Sequence, residues 1–189
     1  MKKTITIFAV LFALSACTAV SGTDKLVEAW EDRAFFSAEI TQLSISPIDT
    51  LAESGKIIVR KPDAIFETGA ELIVFQGGRL WTFTTGSDVG TVRDMESFAY
   101  ADIAVLIADL ERDFVVSIAP VKGGFRLDGT GGEGNVVAFT ATLDENYIPS
   151  RIRWEDIFGY ITEIRFDKIA LHDTGAKIEV PEGIEFIEE

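Results

Sequence analysis

Apolar and polar residues change rhythm several times along this chain, and the changes mark its elements. Leu26, Val27, Trp30, Phe35 and Phe36 recur at near-helical spacing behind Thr23 and Asp24, either of which can cap a helix, so an amphipathic helix is expected there. The period then becomes two: Phe36-Ser37-Ala38-Glu39-Ile40-Thr41-Gln42 alternates as a half-buried strand does. Similar runs follow at 55–61, 64–68, 72–75 and 80–84. Pro62-Asp63, Gly69, Gly77-Gly78 and Gly86-Ser87-Asp88 lie between them, and these are residues of short hairpin turns. The segment reads as an antiparallel meander. Over 98–110 the strand rhythm breaks, and Ala101, Ala104, Val105, Ile107, Ala108 and Leu110 fit a helix more apolar than a surface helix needs. Strand patterns resume at 114–119, 124–128, 136–143, 151–154 and 160–166 and end near 178–187. The expected architecture is α+β, mainly β: one highly curved antiparallel sheet of about ten or eleven strands with two helical segments on one side.

The first segment follows a different logic. Lys2 and Lys3 precede an apolar run, 5–14, too short to cross a bilayer as a stable helix, so residues 1–16 read as a bacterial secretory signal. Leu14-Ser15-Ala16-Cys17 resembles the lipobox of bacterial lipoproteins, whose cysteine is lipid-modified and becomes the first mature residue. The alternative is an ordinary signal cleaved nearby, which leaves Cys17 a free thiol. Residues 17–23 then form a short tether and 24–189 a single domain. Several acyl chains on Cys17 would anchor it firmly, at about 0.8 kcal/mol per buried methylene.

Composition narrows the chemistry. With 17 Lys and Arg against 31 Asp and Glu the net charge is −14, which repels phosphate backbones and argues against nucleic acid as a partner. One Cys and one His cannot build a Cys/His zinc site. His172 sits beside Asp173 in a turn-like run, where sequence neighbours lack the orientation of a catalytic array, and no G-x-S-x-G turn is present. Asp109, Glu111 and Asp113 read as a solvated helix end and Gly129-Thr130-Gly131-Gly132-Glu133-Gly134 as a hairpin loop. No catalytic residue, metal or cofactor is expected, and the chain is not read as an enzyme. Trp30, Trp81 and Trp154 are expected in a core or a cavity lining.

Four runs, read together, resemble a known family: Gly55-Lys56-Ile57-Ile58-Val59-Arg60-Lys61-Pro62; Leu72-Ile73-Val74-Phe75-Gln76-Gly77-Gly78-Arg79-Leu80-Trp81; the hairpin from Asp156-Ile157-Phe158-Gly159-Tyr160 to Phe166; and Val180-Pro181-Glu182-Gly183-Ile184-Glu185-Phe186. In order and spacing they are similar to the LolA/LolB-like outer-membrane lipoprotein carriers. The resemblance implies an incomplete barrel, covered on its concave side by helices, that shelters lipoprotein acyl chains in transit without covalent chemistry. Ile40, Ile57, Val59, Ile65, Leu72, Val74 and Trp81 are the expected cavity wall, and Phe98, Val105, Leu106 and Leu110 belong to the helix that covers it as a lid or else plugs a core. Lys61 stands where the carriers place an arginine latch, and a lysine lacks the planar fork of donors. Glu67 replaces an aromatic of the family, and a Lys61–Glu67 cross-strand pair is expected. Cys17 departs from a diffusing carrier and matches the lipid-anchored receptor.

The implied partners are lipidated proteins as cargo, an inner-membrane lipoprotein-releasing transporter or a partner carrier or receptor, and the membrane through Cys17. Thr18 after the cysteine favours the outer membrane by the enteric rule, with the domain facing the periplasm. Two rival readings stand beside this one: an anchored lipoprotein that binds another lipid or glycolipid, or a cell-envelope interaction module. An envelope hydrolase lacks a nucleophile with its base.

Overall fold

A run such as Val136–Leu143, in which Phe139, Ala141 and Leu143 are buried at alternate positions, can satisfy its backbone only by pairing on both sides while one face turns to the core. A computed structural model describes residues 22–96, 103–131 and 135–188 and shows how the pairings add up. In chain order the elements are α1 (Gly22–Glu31), β1 (Phe35–Ile45), β2 (Thr50–Arg60), β3 (Asp63–Thr68), β4 (Glu71–Gln76), β5 (Arg79–Thr84), β6 (Val89–Asp94), α2 (Ile103–Asp113), β7 (Val115–Val121), β8 (Gly124–Thr130), β9 (Val136–Leu143), β10 (Pro149–Asp156), β11 (Ile161–Ala170) and β12 (Glu185–Glu188). They form one 12-stranded sheet in the order β12-β6-β5-β4-β3-β2-β1-β11-β10-β9-β8-β7. Two meanders, β1 to β6 and β7 to β11, are joined where β1 pairs with β11. The sheet is curled and open: β12 and β7 are its edges and do not meet.

The fold is mainly β, with helices on one side, as the pattern implies. Several details differ. Phe35 and Phe36 begin β1 instead of ending α1, because α1 stops at Glu31 and the alternation takes over. The strand absent from the expectation is β6. Its partner β12 lies far along the chain and runs parallel to it, so the sheet is not wholly antiparallel. At Gly90 the ring of Phe186 packs where a Cβ would stand, 2.8 Å away, which ties the two strands face to face.

The half of the sheet from β1 to β5 is buried on both faces. On the concave side Phe36, Ala38, Ile40, Ile57, Val59, Ala64, Phe75 and Leu80 form one cluster. On the convex side Phe35, Ile58, Ile65, Leu72 and Val74 form another beneath Ile178, with Trp81, Ala176 and Val180 against it. The segment between β11 and β12 has little regular structure, so side chains hold it: Gln76 Nε2 donates to the carbonyl of Ile178 (3.1 Å), and Arg60 Nη2 donates to the carbonyl of Ala176 (2.8 Å) and to Asp173 (2.7 Å). Where this strap ends, the convex face turns polar. Glu163 is 2% exposed there and takes charge-assisted bonds from Arg165 Nε (2.7 Å) and Arg151 Nη2, two cations that stand opposite each other across β10 and β11.

α1 and α2 lie against each other and reach β7, over the concave face. Leu26 and Ile107 enter a core cluster with Leu127, Phe139, Ala141 and Leu143 from β8 and β9. No described helix is long and apolar enough to cross a membrane.

Candidate functional site

Between the helices and the concave face is a cavity of about 560 Å³, within the range of ~300–1,000 Å³ usual for small-molecule sites. Strand alternation makes its wall: Ile57 and Val59 of β2, Phe66 of β3, Phe139 and Ala141 of β9, Ile152 and Trp154 of β10, and Ile164 and Phe166 of β11 all point inward. Leu106, Ile107 and Leu110 of α2 and Leu26 and Trp30 of α1 complete it. The rings brace one another: Trp30 meets Phe36 at 5.3 Å, Phe36 meets Phe166 at 6.3 Å, and Phe114 meets Phe139 edge-on at 5.2 Å.

One end of the cavity is tied by polar bonds among three connections. Trp30 Nε1 donates to the carbonyl of Tyr147 (2.9 Å), Arg33 Nη2 donates to the carbonyl of Asn146 (2.7 Å), and the Lys61 amide donates to the carbonyl of Ala34 (3.0 Å). Lys61 Nζ donates to the carbonyls of Trp30 (2.8 Å) and Glu31 (3.4 Å), the last turn of α1, where a cation also complements the helix dipole. Along β9 and β10 the other end lies by Phe114, Asn135 and Val136. The charged residues among the described wall are Arg33, Lys61 and Asp113. Arg112 beside Asp113 binds it through Nε (2.9 Å) and lowers its pKa by that hydrogen bond, and also reaches Asp109 (2.8 Å), so the acidic helix end carries its own counter-charge.

The residues expected at the wall divide between the cavity, the concave core and the other face of the sheet. Ile57 and Val59 line the cavity, while Ile40, 2% exposed, lies in the concave core and not on the cavity wall. Ile65, Leu72, Val74 and Trp81 are on the other face, beneath the strap. The strands that carry them have no consistently polar face, so the sequence does not mark which parity turns inward. Of the lid residues, Leu106 and Leu110 reach the cavity and Val105 lies within α2, while Phe98 falls outside the described residues, as does Cys17. Lys61 holds α1 and not α2. Glu67 does not pair with Lys61: the register sets Lys56 opposite it, and their side chains meet at 2.8 Å on the surface. Asp173 is bound to Arg60 and to the Gly175 amide (2.8 Å). Trp30 and Trp154 do line the cavity. The aromatic wall was legible in principle, as the other parity of the same strands: Phe66 next to Ile65, Phe166 next to Arg165.

Fold and site together define a mainly β protein whose open, curled sheet shelters an apolar cavity under two helices. Its wall is aliphatic and aromatic apart from Arg33, Lys61, Asp113 and Asn135, and it is suited to burying an apolar chain. The chain is 28% identical over 204 residues, 100% of its own length and 96% of the relative's, to the outer-membrane lipoprotein carrier protein of Halorhodospira halophila (strain DSM 244 / SL1). It thus resembles the LolA/LolB-like outer-membrane lipoprotein carriers, as the four sequence runs imply. No family model matches the chain. Among solved structures it is similar to a LolA superfamily protein from Nitrosomonas europaea (TM-score 0.43, 10% identity, 80% of this chain and 94% of that one). It is also similar to the lipoprotein LppX of Mycobacterium tuberculosis (TM-score 0.44, 10% identity, 82% and 94%).

Proposed function

We propose that this protein binds the acyl chains of lipoproteins in the cavity and carries or accepts them during transfer across the periplasm to the outer membrane. The observation that carries the reading is the cavity itself, whose aliphatic and aromatic wall spans both meanders and both helices. The full-length likeness to a protein named as a lipoprotein carrier supports it. Affinity comes from burial alone: about ten methylenes taken from water at ~0.8 kcal/mol each yield about 8 kcal/mol before ordering costs, a micromolar scale. Release requires the cover to open, and moving α1 away from the sheet breaks the bonds of Lys61 to its last turn.

In this reading residues 1–16 are removed as a signal peptide, 17–23 tether the domain 24–189 through lipid on Cys17, and the protein works facing the periplasm from the outer membrane. The donor is an inner-membrane lipoprotein-releasing transporter or a partner carrier. The test is to purify the protein from its native envelope with Cys17→Ser, so that its own anchor is absent, and to identify by mass spectrometry what co-elutes. An acylated protein is expected. A free lipid would favour another hydrophobic ligand, and a cavity that recovers no acyl chain and binds none when offered would overturn the proposal.

A further inference from the structure

Water-exposed apolar residues are not spread evenly over this protein. Ile48 (96% exposed) and Leu51 belong to the β1–β2 hairpin, and Ile157, Phe158 (70% exposed) and Tyr160 to the β10–β11 hairpin. β1 pairs with β11, and Ile45 stands opposite Ile161, so the two hairpins lie side by side at one rim of the curled sheet. Val115, exposed at the start of β7, belongs to the same rim. The β1–β2 ladder continues through Thr50–Ser54 beyond its last pairing with β3, which carries its tip about 16 Å further at ~3.3 Å per residue. Each turn spends its polar groups on itself. Asp156 Oδ1 accepts from the amides of Phe158 (2.8 Å) and Tyr160 (2.9 Å), Ser46 Oγ from those of Ile48 (3.3 Å) and Asp49 (2.9 Å), and Asp49 Oδ1 from that of Thr50 (2.7 Å). The turns are braced from within, and what they offer to solvent is hydrocarbon.

The rim also adjoins the cavity. The Ile157 amide donates to the carbonyl of Asn135 (2.8 Å), a wall residue at the end away from the Lys61 ties. Charge then narrows the partner. Neither 43–55 nor 154–161 contains a Lys or Arg, while Asp49, Glu53, Glu155 and Asp156 lie there. Anionic head groups would be repelled, and the carboxylates of Asp49 and Asp156, bound to their own turns, make poor contacts for a basic protein. From this we infer that the rim docks on a neutral lipid surface, with Ile48, Leu51, Ile157, Phe158 and Tyr160 in the head-group layer and the adjoining end of the cavity turned to the bilayer. The inference rests on the reading that the cavity holds acyl chains and adds their route, which passes beside the two hairpins without crossing water. The anchor proposed at Cys17 suits it: the chain from Cys17 to Gly22 spans at most about 17 Å, and so short a tether keeps a lipid surface within reach.

The test floats the delipidated mature chain, 17–189 with Cys17→Ser so that no anchor contributes, with phosphatidylcholine vesicles. It should rise with them, still do so in about 1 M NaCl, where charges are screened beyond ~3 Å, and rise less when phosphatidylglycerol replaces part of the lipid. Ile48→Ser with Phe158→Ser should weaken partitioning by about tenfold or more, because two largely exposed side chains lose their apolar transfer. Val121→Ser with Leu171→Ser, exposed at the opposite end of the sheet, should leave it unchanged. The rim variant should bind a pyrene-labelled acyl chain from solution as tightly as the native protein but take it from vesicles about tenfold more slowly. Flotation that needs low salt or anionic lipid, or a rim variant that floats as the native protein does, overturns the inference without touching the acyl-chain reading. Failure to float overturns it too and leaves the rim to a protein partner. A protein that floats through its rim yet takes up no acyl chain overturns the acyl-chain reading and the route built on it.

Discussion

Gly129→Ala tests whether the cavity is the void on which the aromatic wall leans. Gly129 of β8 stands directly opposite Phe139 of β9, and the phenylalanine ring lies over the space a side chain would take. A Cβ on residue 129 would fall 2.0 Å from Phe139 Cε1 and 2.6 Å from Cδ1 and Cζ, against the 3.0 Å or more that real contacts keep. The backbone is not the obstacle, because Gly129 is absent from the residues with positive φ, so alanine should even gain ~0.4–1 kcal/mol through the unfolded chain. The ring must therefore move by about an ångström. Phe139 is 7% exposed and packed edge-on against Phe114, and the cavity is the unfilled side. Overpacking of this kind costs about 1–3 kcal/mol, which leaves a net loss of about 1.3 kcal/mol at the middle of both ranges. Urea unfolding should show the loss as a lower midpoint at unchanged slope. A pyrene-labelled acyl chain should bind several-fold more weakly, and adding Phe139→Leu should recover both properties. Unchanged stability would refute the steric argument, and lost stability with unchanged binding would show that the ring turns away from the cavity.

Glu163→Gln should cost about 1–3 kcal/mol, towards the low side of what breaking a buried pair costs, because Arg151 and Arg165 are 45% and 57% exposed and can rehydrate. Burial alone would raise the pKa of Glu163, but the bonds from Arg165 and Arg151 outweigh it and hold the value low. Its stabilisation is thus present above the unfolded carboxylate pKa of ~4.3 and lost as pH falls through the lower folded value, so urea midpoints of the variant should decline less in that acid range. Lys61→Met should cost about 0.5–1.5 kcal/mol and speed hydrogen exchange at the amides of α1 more than in the sheet, since both carbonyls it holds end that helix. Two substitutions separate the faces: Ile57→Glu should abolish acyl-probe binding in a protein that still unfolds cooperatively, whereas Ile178→Ala should lose about 2–4 kcal/mol and keep probe affinity. Equal effects of the two on binding would contradict the assignment of faces.

Alternation was readable wherever one face of a strand meets water. Val136–Leu143 shows its buried positions in the sequence, and the Gly77-Gly78 turn announces itself because both residues take positive φ, 60° and 77°. The run Leu72-Ile73-Val74-Phe75 is apolar throughout, because the strap covers one face and the core the other, and no local signal says that Ile73 and Phe75 face in while Leu72 and Val74 face out. β6 is faint in the sequence for a related reason: Gly90 weakens its pattern, and the ring that compensates, Phe186, comes from β12. The Lys56–Glu67 pair follows from the β2–β3 register, which depends on where the turn sits and not on which charges are nearest in sequence. Arg33 is one basic residue after a helix until the β9–β10 turn folds back to engage half of its guanidinium.

The two faces of the sheet differ in how they are closed, and the difference has a thermodynamic consequence. The strap seals the convex face by contact, with Ile178 7% exposed, whereas the helices leave about 560 Å³ above the concave face. Were that space sealed and dry, a cavity penalty of ~24 cal/mol per Å³ would amount to roughly 13 kcal/mol, as much as the whole stability of an ordinary domain. The protein therefore keeps it wet, collapses the helices into it, or fills it, and only filling makes its stability depend on a ligand. Binding to the folded state alone stabilises by about 2.7 kcal/mol at a hundredfold excess over Kd, so the melting temperature of the delipidated protein should climb with acyl-chain concentration by several degrees. The gain should vanish in Ile57→Glu and persist in Ile178→Ala. A melting temperature indifferent to ligand would mean that the helices have already collapsed onto the sheet in solution.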